Sequence, residues 1–164
     1  MDRNKLLAEA EALFCRGMAT DSYASGAKAG LIEYWAGWKG YEYREGDFKL
    51  VDMYMVDPDT KKSGGHTHIH YQGRTIWMMS YGGFYKKEAI PCLKSALMAN
   101  YTKRIFNAGR GQDGHVVGGF RYNIRDRGES SFERFAAHES VRPVEARGYL
   151  ASEDGHDVWG MALI

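Results

Sequence analysis

Apolar residues recur at helical spacing in two segments of the chain. In residues 2–18 the apolar stripe consists of Leu6, Leu7, Ala10, Leu13, Phe14 and Gly17. In residues 86–106 it consists of Ile90, Leu93, Leu97, Tyr101 and Ile105. Positions three and four residues apart share one face of a helix, so both segments are predicted to be α-helices. Because Pro91 fits only the first turn, the second helix should begin near Glu88 or Ala89.

Elsewhere the spacing of apolar and polar residues changes to two, which is typical of β-strands. Residues 48–56 alternate in this way, and HTHIHY (66–71) and RTIWMMSY (74–81) flank Gln72-Gly73, a pair that suits a two-residue hairpin turn. These segments predict a three-stranded antiparallel meander. Residues 107–115, NAGRGQDGH, read as a flexible connector. Further strands are predicted within residues 118–128, 130–150 and 155–164.

The order of the elements suggests a duplication, in which a helix followed by a three-stranded meander occurs twice. Faint echoes link DFKLVDMY with GFRYNIRD, and RTIWMM with HDVWGM. One such unit would leave a sheet face bare, so the two units should share a core. We therefore predict an α+β fold with two helices packed on antiparallel sheet, within a single domain over residues 1–164. Its parts would be an N-terminal helix and loop (1–30), a first repeat with its helix (31–106) and a second meander (107–164).

Three of the six histidines, His66, His68 and His70, occupy alternate positions of one predicted strand and so share a face. A tight turn at Gln72-Gly73 would place His70 opposite Thr75, His68 opposite Trp77 and His66 opposite Met79. Tyr81 would continue the same side. Aromatic rings beside titratable groups are typical of a ligand-binding wall, although half-exposed histidines packing beside a tryptophan would also fit.

The strand before the histidines adds two candidates, Asp52 and Tyr54, which share a strand face. Asp is disfavoured inside a strand, which makes Asp52 a candidate functional residue, and a structural hydrogen bond is the alternative. Glu139 lies in AAHES, which echoes GHTHI. The complete set of predicted ligand-binding residues is therefore His66, His68, Trp77, Met79, Tyr81, Asp52, Tyr54 and Glu139.

The histidines could instead bind a divalent metal such as zinc, because imidazole nitrogens at alternate positions can chelate one ion. The outer two of three alternate positions are ~13 Å apart at Cα, so all three cannot easily converge on one ion. A site would need two of His66, His68 and His70 together with His138 or Glu139. No other cofactor is indicated by the sequence.

The charge balance limits the partners that the chain should attract. Lys and Arg total 22 and Asp and Glu total 21, which gives a net charge of +1 and no bulk attraction to nucleic acid or anionic membranes. No apolar run approaches the ~20 residues that span a bilayer, and no signal peptide is recognisable. We expect a cytoplasmic protein whose partner is a small molecule or another protein, with a homodimer as one option.

Several motifs resemble a bacterial family of domains of unknown function, family 5680. YEYREGDFKLVDMY carries Tyr41, Tyr43, Gly46, Asp47, Phe48, Asp52 and Tyr54, and YQGRTIWMMSYGG carries Gly73, Trp77, Met79, Tyr81 and Gly83. Arg110-Gly111 and SFERFAAHESV match later motifs, so the resemblance covers roughly residues 30–164. The chain departs from the pattern at Thr67, where Glu is expected, and at Ser80, where Asn is expected.

Members of the family are sometimes attached to helix-turn-helix segments, which would imply a sensing or regulatory role, but residues 1–30 of this sequence predict one helix and no such DNA-binding unit. The residues themselves leave three functions open. The leading hypothesis is a small ligand-binding or regulatory domain whose pocket is lined by the face of His66, His68, Trp77 and Tyr81. The second is a metal-assisted, hydrolase-like enzyme. The third is a protein-interaction module of a defence or phage-related kind.

Overall fold

In the residues that the structure describes, the fold consists of one antiparallel sheet and two helices. The computed structural model describes residues 2–32, 35–145 and 154–164. The helices are α1 (Arg3–Thr20) and α2 (Ile90–Lys103), and a 3-10 turn at Lys87–Ala89 precedes α2. The strands are β1 (Gly30–Leu31), β2 (Lys39–Glu45), β3 (Phe48–Val56), β4 (Ser63–Tyr71), β5 (Arg74–Phe84), β6 (Val116–Val117), β7 (Phe120–Ser130), β8 (Arg134–Pro143) and β9 (Gly155–Ala162).

The strands lie in the order β1-β2-β3-β4-β5-β9-β8-β7-β6, so the two predicted meanders meet where β5 pairs with β9. This arrangement confirms the α+β prediction in outline. The duplication itself stays a prediction. The last part of the predicted strand segment 130–150 lies outside the described residues.

Both helices cover one face of the sheet, which we call the inner face. Helix α1 packs on β2 and β3, α2 packs on β6 and β7, and the two helices contact each other. Buried residues of α1, such as Leu13 and Phe14, join Leu50 and Trp77 of the sheet in a single core. The predicted apolar stripes thus become the buried faces of both helices. The opposite sheet face, which we call the outer face, is not covered by either helix.

Glycine allows α1 to approach the sheet closely. A Cβ at Gly17 would lie 3.1 Å from Cδ1 of Tyr43, which is closer than ordinary van der Waals contact, so the absence of a side chain lets this ring pack closely against the helix backbone. Arg16 of the same helix donates two hydrogen bonds to Glu45 of β2, at 2.9 and 2.8 Å. These contacts hold α1 against the first strands of the sheet.

The hairpin between β4 and β5 has the predicted turn, with positive φ at both Gln72 (49°) and Gly73 (81°). Such a pair of φ values is required by a type I′ turn, whose twist matches that of the strands. His70 pairs with Thr75 as predicted. The turn and its first residue pairs are therefore confirmed.

Beyond those first pairs the predicted register is wrong. A β-bulge at the Ile69/His70 step leaves Ile76 as an extra residue in β5, so Ile69 pairs with Trp77, His68 with Met78 and His66 with Ser80. One extra residue moves every later side chain to the other face of its strand. The histidines consequently lie on the outer face, and Trp77 lies on the inner face.

Candidate functional site

A cavity of about 390 Å³ lies between the helices and the inner face of the sheet. Aromatic and apolar side chains form most of its wall, including Met18, Tyr23, Tyr54, Phe84, Leu93 and Tyr101. The polar side chains that reach it include Asp52, Ser63, Tyr85, Arg110 and His156. The volume lies within the roughly 300–1,000 Å³ of small-molecule pockets, and the combination of apolar wall and few polar groups is typical of them.

A buried ion pair between Arg110 and Glu139 lies at the base of the cavity. The Arg110 side chain is 5% exposed and the Glu139 side chain is 0% exposed. The Tyr122 hydroxyl donates to Oε2 of Glu139 at 2.5 Å, and the Gly111 N–H donates to the Tyr122 oxygen at 3.0 Å. Burial alone would raise the pKa of Glu139, but the Arg110 guanidinium outweighs it and the pKa is lowered. Glu139 is therefore a carboxylate at neutral pH.

Arg110 is positioned by a segment that the sequence predicted to be a flexible connector. Asn100 of α2 donates its side-chain amide to the Arg110 carbonyl at 3.0 Å, and the Tyr101 hydroxyl donates to the Gly109 carbonyl at 3.0 Å. Residues 108–111 are buried. The prediction of a flexible connector is therefore wrong for this part, because side chains of α2 bind its backbone.

His156 of β9 lies between two tyrosines, with a serine and a carboxylate near its ring nitrogens. Its ring centroid is 5.9 Å from that of Tyr81 and 4.6 Å from that of Tyr85. Its Nε2 forms a 3.0 Å hydrogen bond with the Ser63 hydroxyl, and its Nδ1 lies 3.6 Å from Oε1 of Glu139. Burial lowers the pKa of His156 to about 4, even though the nearby Glu139 carboxylate acts to raise it. The imidazole is therefore neutral at pH 7.

Asp52 of β3 is buried on the inner face and accepts two hydrogen bonds. The Thr67 hydroxyl donates at 2.8 Å and the Tyr81 hydroxyl donates at 3.1 Å, both to Oδ1. Burial raises the pKa of Asp52, although these hydrogen bonds and the Arg110 charge oppose the shift. The Arg110 guanidinium also lies over the Tyr81 ring, 5.2 Å from its centroid. Asp52 is thus linked through Tyr81 to the Arg110 end of the cavity.

Three buried polar atoms around the cavity make no hydrogen bond within the described part of the chain. They are the Tyr85 hydroxyl, Nε of Arg110 and Nδ1 of His156. Burial raises the pKa of Tyr85, so its hydroxyl keeps its proton. Buried polar groups are nearly always paired in folded proteins. All three atoms have almost no accessible surface, and the Tyr85 hydroxyl lies close enough to Glu139 for this carboxylate to add to the rise in its pKa.

The structure separates the predicted ligand-binding residues into three groups. Asp52, Tyr54 and Tyr81 line the cavity, and Glu139 contacts Arg110 and His156, which line it. Trp77 and Met79 are fully buried in the core and do not line the cavity. Trp77 stacks on Phe132 and donates its indole N–H to the Phe132 carbonyl at 2.7 Å. The predicted wall of histidines and Trp77 is therefore wrong. The bulge in β5 separates its members.

His66 and His68 contact other residues on the outer face. The His66 ring stacks on Trp38 with a centroid distance of 5.7 Å, and its Nδ1 forms a 2.9 Å hydrogen bond with the Ser80 hydroxyl. Burial lowers the pKa of His68, and the neighbouring histidines lower it further. This face also exposes Trp159 and Met161.

The predicted metal ligands do not converge. Glu139 is on the inner face, whereas His66, His68 and His70 are on the outer face. His138 shares the outer face, and its Nδ1 lies 2.9 Å from Oδ1 of Asp157. However, β5 and β9 lie between β8, which carries His138, and β4, which carries the other three histidines, so β8 and β4 are roughly 14 Å apart. Residues 2–32, 35–145 and 154–164 contain no group of three His, Cys, Asp or Glu that could hold a metal ion.

Sequence reasoning missed Ser63, Tyr85 and His156 as residues of one site. Ser63 and His156 belong to strands that are distant in sequence, and no short motif joins them. Arg110 was included only through its Arg-Gly pair in the family resemblance. Tyr122 and Ile124 alternate in β7 and are both buried, so their spacing is a local signal that they share the inner face, but it does not identify Glu139 as a neighbour.

Comparisons with known proteins give a family but no characterised relative. Neither the curated proteins nor the solved structures that were searched contain a match. No helix in the described part of the chain is long and apolar enough to cross a membrane. The family model of the domain of unknown function DUF5680 matches residues 52–162, a span that includes Asp52, Arg110, Glu139 and His156. The chain belongs to the DUF5680 family.

Proposed function

We propose that the protein is a binding domain for a small, mostly apolar organic molecule that carries a hydrogen-bond acceptor. The single observation that carries this proposal is the cavity itself, with apolar walls and with a polar end that includes Arg110 and His156. A regulatory role, in which the bound molecule alters contacts of the domain with another protein, is compatible with this function.

The walls favour an apolar or aromatic body for the ligand. Tyr23, Tyr54 and Tyr101 present rings to the cavity, and Leu93 and Leu97 of α2 add aliphatic surface. Burial of apolar area contributes about 25 cal/mol per Å², so a ligand of a dozen carbon atoms would gain most of its affinity here. Release of water from these walls is the expected driving force.

The polar end favours an acceptor, such as a carbonyl or carboxylate oxygen. The Arg110 guanidinium lines the cavity and can donate hydrogen bonds. Glu139 balances the charge of Arg110, and the raised pKa of Asp52 favours its neutral form. Lys61 and Lys87 also line the cavity and are exposed. These charges suit a neutral or weakly acidic molecule better than a cation.

The proposal is tested with 1-anilinonaphthalene-8-sulfonate, an aromatic probe with an acidic group, by fluorescence titration of the folded protein. We expect saturable binding with enhanced fluorescence. Ile90 lines the cavity, so Ile90→Trp should fill part of it and weaken binding at least about tenfold, which corresponds to about 1.4 kcal/mol.

Ile105→Trp is the matched control, because Ile105 is exposed and lies outside the cavity lining. It introduces the same indole and should leave the titration unchanged. Equal loss in both variants, or a wild-type protein that binds no probe, would refute the proposal. Circular dichroism of each variant establishes that the chain is folded.

A further inference from the structure

Three side chains beside the cavity form a serine–histidine–carboxylate row. The Ser63 hydroxyl lies 3.0 Å from Nε2 of His156, and Nδ1 of the same ring lies 3.6 Å from Oε1 of Glu139. β-Strand pairing sets this row, because Glu139 of β8 is the cross-strand neighbour of His156 in β9. A nucleophile, a base and a group that orients the base occur in this order in many acyl-transfer enzymes.

Other serine–histidine pairs in the protein show what distinguishes this one. Ser80 bonds His66 at 2.9 Å on the outer face, and Ser95 bonds His115 at 2.8 Å. Within the described ranges, neither His66 nor His115 has a carboxylate within 4 Å of a ring nitrogen, whereas His156 has one. Ser63 and His156 also both line the cavity.

We propose that Ser63 is a nucleophile that cleaves esters bound in the cavity. This activity rests on the proposed function, because the cavity must first bind the ester. His156 takes the hydroxyl proton through Nε2 while the Ser63 oxygen forms a bond to the ester carbonyl carbon. The carbon–oxygen bond to the alcohol then breaks, and the alcohol leaves with that proton. Water attacks the acyl-serine in the same way, which releases the acid and restores Ser63.

The Arg110 guanidinium beside the row fits the charge that develops in this reaction. The tetrahedral intermediate carries a negative oxygen, which needs preorganised donors, and each such donor contributes about 10²–10³-fold in rate. Arg110 lines the same cavity as Ser63 and carries a positive charge. Its guanidinium is therefore the group that would stabilise the oxyanion.

The surroundings of His156 point to a particular class of substrate. Its neutral imidazole can accept a proton at pH 7. However, the Arg110 guanidinium pairs with the same Glu139 carboxylate, and its positive charge makes the imidazolium form of His156 less stable. A weak base of this kind favours esters with good leaving groups, such as aryl esters, over amides. Glu139 acts through His156 and is a positioning residue, since it does not touch the substrate.

The test is acylation of the whole chain by p-nitrophenyl acetate, followed by intact mass and peptide mapping. We expect one acetyl group on Ser63 and release of p-nitrophenol, both reduced at least about 100-fold in Ser63→Ala. Ser80→Ala and Ser95→Ala are matched controls, since each removes a histidine-bonded serine, and both should react like the wild type. Glu139→Gln should move the acid limb of the pH profile to lower pH, because Glu139 acts to raise the pKa of His156.

Acetylation of other side chains only, or p-nitrophenol release by Ser63→Ala at the wild-type rate, would overturn the nucleophile. The probe titration separates this result from failure of the proposed function. A protein that binds the aromatic sulfonate in the Ile90-dependent manner but leaves Ser63 unlabelled retains the binding function without the catalytic one. Retained probe binding by Ser63→Ala would show that the cavity is intact in that variant.

Discussion

Removal of the Glu139 charge should destabilise the protein far more than the same change at its surface. Glu139→Gln keeps the size of the side chain and an acceptor for the Tyr122 hydroxyl, but it leaves the Arg110 guanidinium buried without a counter-charge. Breaking a buried ion pair by removing one partner costs about 3–5 kcal/mol. The free energy of unfolding of a domain is about 5–15 kcal/mol, so the loss is a large part of the total.

The chain supplies a control for this change in the pair between Arg3 and Glu133. Its nitrogen–oxygen distance is 2.7 Å, but the two side chains are 47% and 54% exposed. Water screens such a pair, and exposed pairs contribute about 0–1 kcal/mol. Glu133→Gln should therefore leave the free energy of unfolding nearly unchanged.

The assay is urea unfolding of both variants, followed by circular dichroism, with the free energy extrapolated to water. Arg110→Met and the double variant complete a cycle for the buried pair. The double variant should lose at least about 1 kcal/mol less than the sum of the single losses, because it leaves neither charge unpaired. A loss below about 1 kcal/mol in Glu139→Gln, or additive losses in the cycle, would refute the view that this pair is buried and coupled.

Three further predictions concern the same region. Burial raises the pKa of Asp52, so its ionisation destabilises the folded state as pH rises. Asp52→Asn cannot ionise and should therefore have a higher melting temperature than the wild type at pH 7. Asp52→Ala, which leaves the Thr67 and Tyr81 hydroxyls without their acceptor, should lose about 1–3 kcal/mol, and melting curves of both variants test the pair. Burial lowers the pKa of His156 from its usual 6.5 to about 4. The unfolded chain therefore binds a proton more readily than the folded one between these pH values, so the free energy of unfolding should fall by up to about 3 kcal/mol as the pH drops from 6.5 to 4. Urea unfolding at pH 7 and pH 4.5 should show a smaller drop in His156→Gln than in the wild type, and equal drops would contradict the assignment. A Cβ at Gly65 would meet both the Tyr81 ring and the backbone carbonyl of Met53, so Gly65→Ala should lower the melting temperature, and an unchanged temperature would contradict this close packing of β4.

Local patterns in the sequence predicted most of the secondary structure, because those patterns depend on neighbouring residues. The apolar stripes gave α1 and α2 within a few residues of their observed ends. The Gln72-Gly73 turn follows from the need for positive φ at both positions. The family resemblance, read from motifs such as the one that contains Asp52 and Tyr54, is confirmed by the match over residues 52–162.

The faces of the strands were harder to predict, because a single extra residue inverts them. Ile76 and Trp77 are both buried, which the alternating pattern does not allow, and the bulge at Ile76 resolves this conflict. The energetic preference for burying two consecutive apolar residues arises from the core beneath β5. That core includes Phe132 and Phe135, more than fifty residues away in sequence.

The sequence by itself determined both helices, most of the strands and the hairpin turn, and it singled out Asp52 as a polar residue within a strand, because periodicity and turn residues are local properties. Only the tertiary structure decided which side chains meet in the cavity. Ser63, Arg110, Glu139 and His156 come from four separate segments, and their proximity depends on the pairing of β5 with β9 and of β8 with β9. Such pairing depends on burial of apolar surface across the whole sheet, so no short segment encodes it.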